Sequence, residues 1–264
     1  MGRKWMWALA ITAVLLLGIT AIAGAVSFKS HVGNLIVTFG GDASPKVLPR
    51  HEYVPASTTI FGKIETDDGT HPSALREVIL DIDKDVKINV KGLPVCKASQ
   101  LEASDTRRAL KVCGDTEVGS GIAHAEIAFP EQPPIKVASP LKVFNGGESG
   151  GKVKLLIHTF ITVPVPAAIV TDVTITRKGG GIHSVAKIPK IAGGSGSAID
   201  FSFKVGKTYS YKGKRIGYGE ARCPDGVFNV HVPKLFFANE AREPGAPATI
   251  NVSGNAAVPC TPKG

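Results

Sequence analysis

From Asn34 to Val258 the sequence is a succession of short runs rich in Val, Ile, Thr and Phe, each broken by Gly, Pro, Asn or Asp. "NLIVTFGG", "STTIFGKIET", "AIVTDVTITRKGGG" and "GVFNVHV" are representative. Runs of this kind between turn residues mark antiparallel hairpins rather than strands alternating with long helices. Several alternate strictly: Phe228, Val230 and Val232 fall on one face of an extended chain, and Asn229 and His231 on the other. The predicted fold class is therefore all-β, an antiparallel β-sandwich, single or tandem. The densest proline segment, "FPEQPPIKVASP" (129–140), is the best candidate boundary, because proline in sheets is confined to edges and connections. It would split residues 26–264 into 26–134 and 135–264.

The first residues follow another logic. Arg3 and Lys4 precede an uncharged apolar run, Trp5 to Ile22, which is followed by the small triplet Ala23-Gly24-Ala25. This is the order of an export signal cleaved before Val26. The run is also long enough to stay as an N-terminal membrane anchor. In either case the positive charges ahead of it predict that residues 26–264 face outward, secreted or on the extracytoplasmic face of the envelope. The whole chain carries a formal net charge of +9, and loss of residues 1–25 removes only Arg3 and Lys4, leaving a basic exported part. Such a balance suits an anionic cell-wall polymer, a glycan or an acidic membrane surface as partner, and serves solubility equally well. The basic residues are scattered rather than blocked, and nucleic acid is not an expected partner.

That compartment decides how the cysteines are read. Cys96, Cys113, Cys223 and Cys260 form an even set in an oxidising environment, which reads first as disulfides. Cys96 and Cys113 are too far apart for a C-x-x-C redox pair, and no second close pair or H-x-H supplies zinc ligands. Four cysteines allow three pairings; keeping each bridge local selects 96–113 and 223–260. Between the first two, Ser99 and Glu102 match the S-x-x-E capping box, and Ser104 or Asp105 could start a second turn. The prediction is one short disulfide-stapled helical insert, about 99–113.

The remaining motifs each have a plain structural account. "GESGG" (147–151) matches G-x-S-x-G at Ser149, but the nucleophile elbow needs a helix after it, and "KVKLLIHTFITV" follows. "DIDKD" puts Asp81, Asp83 and Asp85 on one strand face, yet an EF-hand loop from Asp81 would need Gly and Glu where Val86 and Gly92 stand. A turn at Asp83-Lys84-Asp85, leading from "REVIL" into a paired "VKINV", accounts for it better. No metal and no cofactor is called for. "TYSYKGKRIGY" places Tyr209 and Tyr211 on one face, with Lys212, Lys214 and Arg215 at a hairpin tip. These five are the candidate ligand-binding residues, since aromatic faces beside cations stack on sugars; ordinary cross-strand pairing explains them too.

"GTHPSALREV", "KGLPVCKASQL", "AFPEQPP", "IAGGSGSA" and the terminal "PCTPKG", spread over most of residues 33–264, together resemble a family of exported bacterial β-rich proteins with paired cysteines. The resemblance implies secretion and paired cysteines. It brings no activity and no catalytic residue. The functional expectation is an exported, non-enzymatic binding or structural module of the cell envelope or exterior. The alternatives are an extracellular hydrolase, serine-type at Ser149, and a carbohydrate or wall-polymer binder.

Overall fold

The computed structural model describes residues 25–264, so all of the expected export segment but Ala25 lies outside the described residues. The chain begins with β1 (Val26–Val32), β2 (Leu35–Ser44), β3 (Val47–Pro49), β4 (Val54–Thr66), β5 (Ala74–Ile82) and β6 (Val86–Ile88). Two helices follow, α1 (Ala98–Leu101) and α2 (Thr106–Cys113). Then come β7 (Glu117–Phe129), β8 (Gln132–Ser149), β9 (Lys152–Ile161), β10 (Ala167–Lys178), β11 (Gly181–Lys187) and β12 (Gly196–Val205). The chain ends with β13 (Thr208–Tyr211), β14 (Lys214–Gly217), β15 (Gly219–Ala221), β16 (Val227–Ala238), β17 (Thr249–Pro259) and β18 (Thr261–Lys263).

The all-β class and the helical insert stand as the sequence predicts; the antiparallel strands form a nearly closed, barrel-like sheet, and the finer sandwich expectation is not shown. Twelve strands form one continuous antiparallel path in the order β1-β2-β4-β12-β7-β8-β9-β10-β11-β5-β16-β17. The path curls round until β1 and β17 lie side by side, giving a nearly closed barrel. Glycine makes the approach at this seam feasible: a Cβ on Gly254 would sit 2.5 Å from the ring of Phe28. Sandwich and barrel share the same in–out alternation along every strand. What separates them is whether the two end strands meet, and local pattern does not report that.

Strands from both halves of the sequence alternate in this sheet. β12 lies between β4 and β7, and β5 lies between β11 and β16. The proline-dense segment 129–140 forms the turn of the β7–β8 hairpin and the first part of β8. Inward positions carry the apolar residues, such as Leu35, Val37 and Phe39 of β2 and Val232, Leu235 and Phe237 of β16. Outward positions carry residues such as Lys63 and Glu65 of β4 and Asp81 of β5, each in an ion pair. Transmembrane barrels have the opposite arrangement, apolar outside and polar within. No helix among the described residues is long and apolar enough to cross a membrane.

Both disulfides form as the local pairing predicts, Cys96–Cys113 with Cα atoms 5.5 Å apart and Cys223–Cys260 with Cα atoms 6.1 Å apart. Their presence fits an oxidising compartment. The first ties the residues just ahead of α1 to the end of α2, and the insert covers Phe144, Leu156 and Val170 on the outer side of β8, β9 and β10. The capping detail differs from the S-x-x-E expectation. Ser99 lies inside α1, and the Gln100 side chain accepts from the backbone N–H of Lys97 at 2.9 Å. Asp105 does cap α2, its carboxylate accepting from the Arg108 N–H at 2.7 Å.

Candidate functional site

Eight strands already give a barrel just wide enough for side chains to fill. A twelve-stranded barrel must flatten, take in a plug or keep an internal space. This one uses a plug and keeps a space. Large side chains fill one end, where Leu35, Val37, Phe39, Ile64, Phe237 and Ile250 pack together. Near the middle, the inward residues are small: Ala43, Ala56, Thr58, Ala123, Ala186 and Ala198. They leave a cavity of about 250 Å³ whose other walls include Leu80, Ile82, Leu155, Val173, Phe201 and Phe203. A smaller hollow of about 60 Å³ shares its Phe39, Ile60 and Leu80 walls.

The plug is the segment between β12 and β16. It starts with the β13–β14 hairpin, and then β15 runs between the first residues of β4 and the short β6, pairing with both. β6 therefore pairs with β15 rather than with β5, which corrects the expected "REVIL"–"VKINV" hairpin. The turn at residues 83–85 is present, but β6 departs across the barrel end. Within the plug the Tyr218 N–H donates to Lys207 O at 2.7 Å, and two bonds hold the plug to its surroundings, the Asn89 N–H to Tyr218 O at 2.8 Å and the Cys223 N–H to Pro49 O at 2.8 Å. Arg222 adds an ion pair to the buried Asp85 at 2.7 Å, with its guanidinium 5.0 Å from the Tyr53 ring. The Cys223–Cys260 bridge then ties the plug to the end of β17, in a cluster with Leu48, Phe228 and Val258.

Tyr218 points from this plug into the barrel. It is 0 % exposed and packs with Val118, Leu141, Val143, Val153 and Ile175. The flanking glycines let it sit there, since a Cβ on Gly217 would lie 2.8 Å from Pro55 Cα and one on Gly219 2.8 Å from Ala56 O. Its hydroxyl has no hydrogen-bond partner among the described residues. Burial pushes this phenol far above its ordinary range, with Tyr209 adding to the effect, so it stays a neutral donor. An unpaired buried hydroxyl costs about 1–3 kcal/mol. Glu220 also lines the cavity, and its Oε1 lies 3.4 Å from the Asn89 side-chain nitrogen.

The residues singled out from sequence lie elsewhere or have other duties. Tyr209 and Tyr211 are on one face of the β13–β14 hairpin, but that face is turned onto residues 89–92. The Tyr209 hydroxyl is 2.9 Å from Lys91 O and 3.2 Å from Asn89 O. The Tyr211 ring lies against Gly92, where a Cβ would come within 2.2 Å of it. Lys212 sits at the tip, with Nζ 5.6 Å from the Tyr211 ring centre, and Lys214 and Arg215 are exposed on β14. Ser149 closes the β8–β9 hairpin opposite Lys152, with Gly150 and Gly151 at positive φ as the tip. A strand follows it, so the local geometry is not that of a nucleophile elbow.

The three aspartates of "DIDKD" border an open depression of about 660 Å³ on the outer face. Each already has partners. Asp81 pairs with His183 at 2.5 Å, Asp85 with Arg222, and Asp83 accepts from the backbone N–H groups of Asn229 and Asp85. Burial nevertheless raises the Asp83 carboxyl above its usual range. Among the described residues no group of three or more His, Cys, Asp or Glu has metal-binding geometry.

The sequence reading passed over Tyr218, although a signal was there. "GYG" is a lone aromatic between two residues without side chains, in a run otherwise of strand type, which marks a place where backbones close in around one large ring. No protein-family model, no curated protein and no solved structure matches this chain.

Proposed function

We propose that this chain is an exported, non-enzymatic binding module, and that it holds an apolar small molecule inside its barrel. The observation that carries this is the cavity of about 250 Å³, whose walls are mostly Leu, Ile, Val, Phe and Ala, with a few Ser and Thr side chains, Tyr218 and Glu220 among them. An engineered apolar cavity of ~150 Å³ stays dry and takes up benzene, and small-molecule sites begin at ~300 Å³. The space here lies between the two. A chain that only needed stability would gain from filling it, because lost packing costs about 24 cal/mol per Å³ of cavity. Export is supported by the two disulfides and by the amino-terminal sequence. The glycan reading of Tyr209 and Tyr211 ranks behind this one, because both rings already pack within the fold.

The test is to extract the natively produced protein with organic solvent and identify any stoichiometric lipid by mass. The emptied protein is then titrated with an uncharged fluorescent hydrocarbon. One-to-one uptake, weakened tenfold or more by filling the space with Ala186→Leu, is the expected result. No extractable lipid together with no saturable uptake would overturn the proposal.

A further inference from the structure

Charge is paired off unevenly along this barrel. Towards the end away from the plug, Arg76, Lys136, Lys190 and Lys234 each pair with a carboxylate of the fold. At the plug end Asp42, Asp81, Asp85 and Glu117 are taken as well, by Lys46, His183, Arg222 and Lys142. Four further cations there, Lys91, Lys212, Lys214 and Arg215, are exposed and have no carboxylate within 4 Å among the described residues. The fold brings these four together. Tyr209 and Tyr211 turn one face of the β13–β14 hairpin onto residues 89–92, which sets Lys91 beside the cationic tip. The tip stands in open space, with nothing within 4 Å of where a Cβ on Gly213 would be. Exposed Arg50, Lys84 and Lys152 extend the charge round the same rim, and they outweigh its exposed carboxylates, Glu52, Asp115, Glu148 and Asp225, once the hairpin is included.

Two further observations say what such a surface meets. Val47 and Val95, 53 % and 54 % exposed, belong to the same end, and Val95 follows Gly92, on which the Tyr211 ring lies, by three residues. Exposed apolar side chains among unpaired cations suit the interface of an acidic bilayer, where the apolar groups enter the headgroup layer and the cations meet phosphate. The course of the chain agrees. Val26 opens β1 opposite Gly41, close to where β2 ends and β4 begins, so the chain enters the barrel at the plug end. The apolar run Trp5–Ile22 stops four residues earlier in the sequence. Four residues reach at most about 14 Å, so a run held in a bilayer would hold this end against it. An anionic polymer would use the cations but neither the valines nor this point of entry. We infer that the plug end faces a membrane and docks on acidic phospholipid headgroups through Lys91 and the β13–β14 tip, with Val95 entering the interface.

The experiment uses residues 26–264, which hold every strand, both disulfides and the whole described core, so that binding comes from the folded surface alone. Vesicles of phosphatidylcholine, with and without phosphatidylglycerol, are titrated with the protein. Binding to the acidic vesicles is expected to be tighter by about tenfold or more, and the advantage is expected to vanish in roughly 0.5 M salt. Lys212→Gln, Lys214→Gln and Arg215→Gln together remove most of it. Lys29→Gln, Lys136→Gln and Lys187→Gln, an equal loss of charge at exposed positions elsewhere, leave most of it. Orientation is read from an environment-sensitive dye on Val95→Cys or on Val165→Cys, the latter in the β9–β10 connection at the other end. Emission shifts to the blue on acidic vesicles for residue 95 and not for residue 165. Equal binding to both kinds of vesicle, equal losses in the two triple variants, or a blue shift at 165 alone overturns the inference. Tighter binding to soluble polyphosphate than to vesicles, with no shift at 95, overturns it in favour of an anionic polymer.

Discussion

Among the buried side chains that leave a polar atom unpaired, Tyr218 and His158 do so for different reasons. At Tyr218 the whole hydroxyl lacks a partner. Tyr218→Phe is therefore expected to raise the unfolding free energy, by about 1 kcal/mol; a urea titration that shows a loss instead would mean that the hydroxyl has an acceptor. At His158 only one nitrogen is unpaired. Its Nε2 donates to the Ser104 carbonyl at 2.8 Å, which fixes the proton there and leaves Nδ1 buried and bare. Burial holds this imidazole below its ordinary pKa, outweighing the Ser104 carbonyl and the nearby Asp105. The unfolded chain therefore takes up a proton, near its usual value of ~6.5, before the folded chain does. The His158 contribution to stability is complete above that value and is lost as the pH falls through and below it, at up to about 1.4 kcal/mol per unit. His158→Gln should flatten the fall in melting temperature on going from neutral to mildly acid buffer. A slope unchanged by the substitution would show that the folded ring protonates as readily as the free one.

At the scale of elements, the two disulfides secure different things. Cys96–Cys113 closes a loop within the helical insert, which covers Phe144 and Leu156 on the outside of the wall. Cys223–Cys260 anchors the plug that carries Tyr218. Loop closure is worth about 3 kcal/mol for the shorter and somewhat more for the longer. Replacing Cys96 and Cys113 by Ala should lower the melting temperature and leave uptake of an uncharged hydrocarbon intact. Replacing Cys223 and Cys260 by Ala should lower both the melting temperature and the affinity. Equal effects of the two pairs on affinity would show that the plug is held well enough by its hydrogen bonds. The insert and both bridges were legible from cysteine spacing and compartment, because each is a local fact. The partner of β6 was not, since its pairing with β15 joins residues 86–88 to residues 219–221.

At the scale of the whole molecule, the strand pattern was legible because in–out alternation is written along each run. The closure of the barrel was not, because it depends on contact between the first and last strands of the path. The cavity was hidden for a related reason. Ala43, Ala56, Ala123, Ala186 and Ala198 look unremarkable one at a time, and only the fold brings them to one place. Gly254→Val puts this closure to the test. Its side chain must displace Phe28 at the seam, so a loss of about 1–3 kcal/mol is expected, with faster amide exchange confined to β1 and β17. Uniform acceleration across the sheet would show that the seam is not a separate weak point. The same seam also sets an order of events. β1 is synthesised well before β17, so during synthesis and any passage through a membrane the strand that completes the wall is missing. Until it arrives the interior stands open along its length, and an exposed strand edge is a hazard. A guest present at that moment can be enclosed as the wall is completed, whereas one arriving later must pass a plug pinned by a covalent bridge. Loading would then be an event in the birth of the molecule rather than in its working life.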